Sequence, residues 1–282
     1  MRVRNQHDAS AAQQPAITAE TPGAAEEASG DRQFVTALAR GFEILAAFTP
    51  QDRMLGNQEL AERTGLPKPT VSRLTYTLTR LGYLTYLPRF AKYRLGFRAV
   101  VLGQLALASL DIREIARPEM LRLSETMEAS VSLGSRDRLS MIFVEHCPPR
   151  TAVALQLGIG SRIPLAVTAM GRAYYALAKP EERAEIDASL AVHHTERWPE
   201  IHRGLREAVE MHTAFGFTAS IGEWNPEVHS AGAAFVLPSR AIMALNCGAP
   251  AFLLSRDRVL QEAGPKVAAA ARQIDALVRR DS

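Results

Sequence analysis

The sequence predicts an α+β protein with a helical N-terminal domain and a larger C-terminal domain built on a mostly antiparallel sheet. Helical spacing of apolar residues dominates before about residue 112, whereas strand-like runs recur beyond it. The chain has 282 residues, 47% of them hydrophobic, which is enough for two cores. Positive charge is concentrated in the N-terminal part, which sets that part apart from the remainder.

The charge distribution indicates a polyanionic partner for the N-terminal part. Residues 34–98 carry ten Lys or Arg against four Asp or Glu, a net charge of +6, whereas residues 1–33 carry −2 and the remainder −1. A local excess of this kind is typical of a chain that binds nucleic acid. No apolar run reaches the roughly 18 residues of a membrane span, and no signal-peptide core is present, so we expect a cytoplasmic protein without a membrane partner.

The first elements follow from apolar spacing and from turn residues. Residues 1–33 contain almost no large apolar side chains, and they predict a disordered tail. A first helix is expected before Pro50, and a second one from an N-cap at Asn57 to Gly65. The apolar residues at helical spacing in the first helix are Val35, Leu38, Phe42, Leu45 and Phe48.

The stretch "GLPKPTVSRLTYTLTRLGYL", residues 65–84, predicts a sharp turn and then a helix that begins at Pro69. The segment "YLTYLPRFAKYRLG" after it predicts two short strands around a basic tip. Three helices with a turn before the third, followed by a basic hairpin, are the pattern of a winged helix-turn-helix. The apolar stripe of the third helix is expected to be Val71, Leu74, Leu78 and Leu81.

In a winged helix-turn-helix, the second helix of the pair lies in the major groove of double-stranded DNA. Its polar side chains would contact bases and phosphates, and the basic wing would lie along phosphates or reach the minor groove. The alternative is a solvated helix beside a charged hairpin, but the turn, the hairpin and the local charge together favour DNA. The expected DNA-binding residues are Lys68, Thr70, Ser72, Arg73, Thr77, Arg89 and Lys92.

The segment "GFRAVVLGQLALA", residues 96–108, is apolar nearly all round, and a helix of that kind requires burial. Packing against its copy in a second subunit would produce a homodimer that pairs two DNA-binding units. Burial within its own chain is the alternative. The predicted organisation is therefore a tail (1–33), a DNA-binding domain (34–95), a linker and dimerisation helix (96–111), and an effector-binding domain (112–282).

The C-terminal part predicts a sheet flanked by helices. Helices are expected at 113–128, 169–178, 180–190, 199–215 and 255–280, and strands at 129–135, 140–145, 151–155, 232–237 and 242–247. Cys147 and Cys247 form no metal or redox motif; we expect reduced, half-buried thiols, with a disulfide between them as the alternative.

Several segments, in this order and spacing, resemble the IclR (isocitrate lyase regulator) family of bacterial transcription factors: "LARGFEILAAF", "LPKPTVSRLTYTLTRLGYL", "YRLG", "IREIARPEMLRLSE", "GSRIPLAVTAMGRAYYAL" and "GFTASIGE". The resemblance covers residues 34–280. It implies a DNA-binding repressor or activator that forms a dimer or a dimer of dimers. It also implies control by a small-molecule effector, an organic acid or an aromatic catabolite.

The resemblance implies an effector pocket in the C-terminal domain. The pocket departs from the family after "GFTASIGE", where Trp224 and Pro226 occupy positions at which small residues are common. Trp224 is a candidate for ligand contact, with burial in the core or an interface as the alternative. The effector-binding residues carried over or expected are Ile163, Leu165, Ala169, Met170, Gly171, Ser220, Trp224, Ser230, Asn246 and Gly248.

The sequence contains no signature of a catalytic or cofactor site. It has no G-x-S-x-G, H-E-x-x-H or phosphate-loop motif, and its histidines fit no zinc spacing. We therefore expect no enzyme activity, no cofactor and no metal. The alternative is a small-molecule-binding or catalytic domain with an incidental helix-turn-helix. The start of the helix "MGRAYYAL" is a candidate carboxylate site because helix N-termini bind anions.

Overall fold

The computed structural model describes residues 33–49, 52–150, 155 and 157–280. The predicted tail at 1–33 and the predicted strand at 151–155 lie outside these residues, apart from Gln33 and Leu155. The chain forms two compact units, Met1–Ser109 and Leu110–Ser282. No helix among the described residues is long and apolar enough to cross a membrane.

The N-terminal unit contains four helices and a two-stranded hairpin within its described residues. Its elements are α1 (Thr36–Ala46), α2 (Asn57–Thr64), α3 (Lys68–Arg80), β1 (Leu84–Leu87), β2 (Lys92–Leu95) and α4 (Phe97–Ala108). The strands pair antiparallel around the short 3-10 helix Pro88–Phe90, and we call the segment 84–95 the wing. The described helices and hairpin thus have the order expected of a winged helix-turn-helix.

The apolar residues at helical spacing in the first helix divide into two groups, of which Leu45 and Phe48 are partly buried against the core. Val35, Leu38 and Phe42 are 58–61% exposed, whereas Ile44 is fully buried. Ile44, one turn before Phe48, supplies the fully buried position that the predicted spacing did not include. The buried core consists of Ile44, Ala47, Leu55, Leu60, Val71, Leu78 and Leu84.

Two further expectations for this unit are corrected. Leu81 is 48% exposed, and Thr75 instead lies fully buried between α2 and α3. The Thr75 hydroxyl hydrogen-bonds the Asn57 side chain, with 3.2 Å between the oxygens, so Asn57 belongs to the packing of the two helices. The N-cap of α2 is Gly56, whose N–H donates to the Glu59 carboxylate at 2.7 Å.

The C-terminal unit has a six-stranded antiparallel sheet with strand order β5-β4-β3-β8-β7-β6. Its strands are β3 (Ser130–Asp137), β4 (Ser140–Cys147), β5 (Arg162–Pro164), β6 (Thr218–Ile221), β7 (Val228–Val236) and β8 (Ile242–Pro250). Its helices are α5 (Ile112–Met127), α6 (Ala169–Leu177), α7 (Pro180–His193), α8 (Trp198–Phe215) and α9 (Gly264–Arg280), the last preceded by the helical turns Arg256–Arg258 and Val259–Ala263.

The two faces of the sheet carry different cores. One face packs against α5 and α9, and the other packs against α6, α7 and α8. Cys147 and Cys247 lie on the first face, both buried and free, and each pairs with Val131 from opposite sides. Two strand spacings of about 4.8 Å separate them, which is too far for a disulfide.

The short strands β5 and β6 were absent from the sequence prediction. They have three and four residues, too few for alternation of apolar and polar side chains to stand out. Both are edge strands, and the register of their longer neighbours holds them in place. The position of β6 is relevant to function because this strand contributes Ser220 to the candidate effector site.

Candidate nucleic-acid interface and effector site

The turn between α2 and α3 is fixed by backbone conformation and by one ion pair. Gly65 ends α2 with a φ of 67°, a left-handed conformation that favours glycine. Arg63 bonds both oxygens of Asp52, at 2.5 and 2.9 Å, and also donates to the Ala47 carbonyl oxygen at 2.9 Å. The bond from Arg63 lowers the pKa of Asp52 to about 2. These contacts hold α2 against the end of α1 and so position α3.

The outward side of α3 carries most of the predicted DNA-binding residues. Lys68, Ser72, Arg73 and Thr77 are exposed, and Thr70 is half-buried at the helix start. Val71, Thr75 and Leu78 face inward, as helical spacing requires. The hydroxyl group of Thr77 donates to the Arg73 carbonyl oxygen at 3.0 Å and therefore offers mainly its lone pairs to a partner.

Tyr76 is a candidate contact residue that the sequence analysis did not select. Its side chain is 66% exposed. Tyr76 follows Arg73 by three residues, so the two side chains are neighbours on the same side of α3. The signal was available in the sequence, because an aromatic residue opposite the Val71–Leu78 stripe is unusual for a solvated helix.

The wing presents two basic side chains outward and uses a third internally. Arg89 is exposed in the 3-10 turn, with its guanidinium 5.7 Å from the centre of the Phe90 ring. Lys92 is half-buried, and its ammonium lies 2.9 Å from the Glu59 carboxylate on α2. The ion pair of Lys92 therefore connects the wing to α2. Arg94 on β2 is exposed and can contact phosphate.

Five cations on this surface are not neutralised by any of the described residues. In the part of the chain that the structure describes, none of the following takes part in a salt bridge: Lys68, Arg73, Arg80, Arg89 and Arg94. A face with unpaired cations on a protruding helix and hairpin binds phosphate groups well.

In the C-terminal unit, the sheet face that packs against α6, α7 and α8 is apolar at one end and polar at the other. The register aligns Ser220, Ser230, Gly248 and Ser130 across four neighbouring strands. The adjacent row aligns Gly232, Asn246, Ser132 and His146. We call the residues Ser130, Ser132, His146, Ser220, Ser230, Asn246 and Gly248 the polar face.

The N-terminus of α6 lies directly against this part of the sheet. A Cβ atom on Gly232 would lie 2.5 Å from the Ala169 carbonyl oxygen and 2.9 Å from the Met170 nitrogen. Ser220 donates to the Val167 carbonyl oxygen at 2.8 Å, and Thr168 caps the helix by accepting from the Gly171 N–H at 3.2 Å. The cap occupies the Gly171 N–H, so the N–H groups of Ala169 and Met170 are those that no helical carbonyl satisfies.

The structure brings some predicted effector-binding residues together and separates others. Ser220, Ser230, Asn246 and Gly248 lie side by side on the polar face, next to Ala169 and Met170. Ile163 and Leu165 are almost fully buried in the apolar core, and Ile163 lies on β5, three strands from Asn246. Trp224 is half-buried against that same core. Gly171 serves close packing against the backbone of Leu165.

Three residues of the polar face were missed by the sequence analysis. Ser130, Ser132 and His146 complete it from β3 and β4, and Ser132 lies 2.9 Å from the Nδ1 atom of His146. The alternation of serine with Val131 and Leu133 was a visible signal of a polar side in a buried strand. The pairing of His146 with this row depends on strand register, which the sequence does not show.

Both units match known families. Residues 37–88 match the family described as IclR helix-turn-helix domain, and residues 104–276 match the family described as bacterial transcriptional regulator IclR C-terminal. The chain is 38% identical over 188 residues to the HTH-type transcriptional regulator TsaQ1/TsaQ2 of Comamonas testosteroni, a match that covers 66% of this chain and 67% of that protein. Matches to further curated regulators span about half the length of those proteins.

Solved structures show the same fold. An IclR family transcriptional regulator from Brucella abortus superposes with a TM-score of 0.80 at 41% identity, covering 88% of this chain and 94% of that one. An IclR homolog from Microbacterium hydrocarbonoxydans, complexed with 4-hydroxybenzoate, superposes with a TM-score of 0.64 at 24% identity over 86% of this chain and 99% of that one. The matched families and curated relatives are transcriptional regulators rather than enzymes.

Proposed function

The chain belongs to the IclR family of transcriptional regulators, and from that premise we propose that it binds operator DNA and releases or engages it under control of a small organic acid. The observation that carries the DNA-binding part is the basic surface of α3 and the wing, where Lys68, Arg73, Arg89 and Arg94 are exposed and form no salt bridge with the described residues. We propose the domain limits 34–95 for DNA binding, 96–111 for the linker and 112–282 for effector binding.

The roles of the DNA-binding residues follow from their side-chain chemistry. Arg73 is proposed to read a guanine edge in the major groove, since a guanidinium pairs with the O6 and N7 atoms in bidentate fashion. Lys68, Thr70, Ser72 and Thr77 would contact bases or phosphates around it. Arg89 would follow the backbone from the wing, and Lys92 would act by holding the wing in place through Glu59.

Arg73→Ala is expected to weaken binding to the cognate operator by about 10- to 100-fold, the effect of losing one bidentate base contact. It should also relax the sequence preference at one base pair. Fluorescence anisotropy with an operator duplex and its single-base variants measures both effects.

The matched control is Arg206→Ala, which removes an exposed arginine of α8 in the C-terminal unit. It should leave operator affinity unchanged. Equal affinity and equal sequence preference for Arg73→Ala and the wild type would remove Arg73 from the reading role.

A homodimer is proposed because α4 has an apolar surface that its own unit leaves exposed. Phe97 is 82% exposed, Leu105 is 64% exposed, and no residue of α4 is buried. A second copy packed on this helix would remove the apolar surface from water and would pair two DNA-binding units on two-fold-related half-sites. The exposed Val35, Leu38 and Phe42 of α1 would extend the same kind of contact.

Leu105→Glu is expected to shift the protein from a dimer of about twice 30.8 kDa toward the monomer, because a carboxylate would be buried at the subunit contact. Sedimentation velocity measures the mass. Val192→Glu alters a side chain that is 76% exposed on α7 and should leave the mass unchanged. A wild-type protein that sediments as a monomer at micromolar concentration would contradict the dimer.

The effector is proposed to bind on the polar face with its carboxylate at the N-terminus of α6. The N–H groups of Ala169 and Met170 supply donors there, and the helix dipole favours an anion. The wall would be formed by Ser220, Ser230, Asn246 and Gly248. The homolog complexed with 4-hydroxybenzoate shares the fold, which makes aromatic acids sensible first probes beside aliphatic ones.

A further inference from the structure

The polar face contains two buried polar atoms without a hydrogen-bond partner. Within the described residues, the Ser130 hydroxyl oxygen and the Asn246 Oδ1 atom are enclosed and make no hydrogen bond. Ser130 is 5% exposed and Asn246 is 8% exposed. Leaving such atoms unsatisfied is unfavourable, so a pair of them on one surface indicates a place where a ligand supplies the missing bonds.

These two atoms lie close to each other on the sheet. Ser130 on β3 pairs with Gly248 on β8, and Asn246 pairs with Ser132, so Ser130 and Asn246 are diagonal neighbours on one face. A Cβ atom on Gly248 would lie 3.2 Å from the Ser230 Cβ and 3.4 Å from the Asn246 Nδ2, so these polar side chains lie close to the Gly248 backbone. His146 adjoins Ser132 on the next strand, and its ring lies parallel to Phe143 with 6.2 Å between the centres.

At this end of the face, the described β-strands carry no charged side chain. Burial lowers the pKa of His146, which keeps its ring neutral at neutral pH. The register places one charged residue of the described β-strands on this face, Arg136, and the carboxylates of Glu182 and Glu185 hold it at the apolar end. The buried Glu145 points to the opposite face, since it pairs with Leu133. A second carboxylate of a ligand would find no cation among the strand residues here, and Arg172 of α6, which donates to the Ala219 carbonyl oxygen on β6, is already paired with Glu223.

We propose that Ser130, Asn246 and His146 form a subsite for an uncharged hydroxyl group of the effector. The Asn246 amide offers an acceptor and a donor, the serine hydroxyl offers both, and a neutral imidazole adds one more polar atom. A hydroxyl group of a ligand can donate to one of these groups and accept from another. This inference rests on the proposed function, and it narrows the effector to a hydroxylated acid that lies across β8, β3 and β4.

The subsite discriminates between acids with and without a hydroxyl group. We expect the hydroxylated member of a matched pair to bind about 10-fold or more tightly, because the plain acid would leave both buried atoms unsatisfied. The matched pairs are 4-hydroxybenzoate with benzoate and 4-hydroxybutanoate with butanoate, titrated calorimetrically into the full-length protein. Terephthalate, which replaces the hydroxyl with a carboxylate, should bind more weakly than 4-hydroxybenzoate.

Ser130→Ala separates a ligand-binding role from a structural one. The variant removes an unpartnered oxygen, so the midpoint of thermal unfolding without ligand should stay the same or rise, while the preference for the hydroxylated acid falls. A structural role would give the reverse, a lowered midpoint with unchanged preference. Asn246→Ala serves as the second variant and should reduce the same preference.

Equal affinity for both members of each pair, or no binding of any of these acids, would overturn the subsite. A site that holds only water would give one of those results. The same preparations are tested for operator binding, which reports on the proposed function separately. Intact operator binding together with absent hydroxyl preference would reject the subsite alone, whereas loss of both would reject the regulator as well.

Discussion

Glu145→Gln is expected to lower the free energy of unfolding by about 3 kcal/mol, the lower end of the range for breaking a buried ion pair. The Glu145 side chain is 3% exposed, and its two oxygens lie 3.0 Å from Arg113 and 2.7 Å from Arg117, both on α5. Glutamine fits the same space, but it withdraws the negative charge from both guanidinium groups. Arg117 is 52% exposed, so water can solvate its guanidinium after the change. Arg113 is 22% exposed, so most of the lost free energy of unfolding is expected to come from its guanidinium.

The measurement is urea unfolding of the full chain, followed through the transition of the C-terminal unit. Glu125→Gln is the matched control, because Glu125 is 51% exposed and pairs with Arg150 at the surface. Surface pairs contribute about 0–1 kcal/mol, so the control should unfold nearly as the wild type does. A Glu145→Gln variant as stable as the control would show that the pair with α5 adds nothing to stability.

Gly171→Ala is expected to destabilise the C-terminal unit by about 2–3 kcal/mol and to abolish acid binding. A Cβ atom at this position would lie 2.0 Å from the Leu165 carbonyl oxygen and 2.4 Å from the Leu165 Cα. Both are backbone atoms, so neither can rotate away as a flexible side chain would. The start of α6 would have to move off the 165–168 turn, and its free N–H groups would move with it.

The control for this change is Gly158→Ala. A Cβ atom at Gly158 meets nothing within 4 Å, and the backbone there is not left-handed. The expected change in unfolding free energy is within about 0.5 kcal/mol. Calorimetric titration with 4-hydroxybenzoate and thermal unfolding measure the two effects. A Gly171→Ala variant that keeps both wild-type stability and wild-type affinity would contradict the close packing of α6 on this turn.

The sequence was informative where periodicity is strong and local. The helix predicted at 113–128 is α5, Ile112–Met127, and the predicted turn does precede α3, with Pro67 as its N-cap and Pro69 in its first turn. Helix periodicity identifies an apolar side but not what covers it. For that reason the predicted stripe of α1 turned out to be exposed at Val35, Leu38 and Phe42.

The candidate effector site was harder to derive because strand pairing assembles it. Ser130, His146 and Asn246 are far apart along the chain, and the pairing of β3 with β4 and β8 brings them to one face. A shift of one residue in either register would place His146 or Asn246 on the opposite face. The residues Ser220, Ser230, Asn246 and Gly248 were proposed through family resemblance, whereas Ser130 and His146 were added from the pairing of the strands.

The proposed function requires that this chain recognise a specific DNA sequence. The most direct test selects duplexes from a random-sequence library with the full-length protein and then measures anisotropy on the enriched duplex and its scrambled counterpart at moderate salt. We predict an enriched sequence with two related half-sites and a preference of about 1,000-fold or more over the scrambled duplex. The contradicting result is a selection without enrichment, together with equal affinity for the two duplexes and loss of binding to both as salt rises. The N-terminal unit would then be a nonspecific basic surface, and sequence-specific DNA recognition would be rejected.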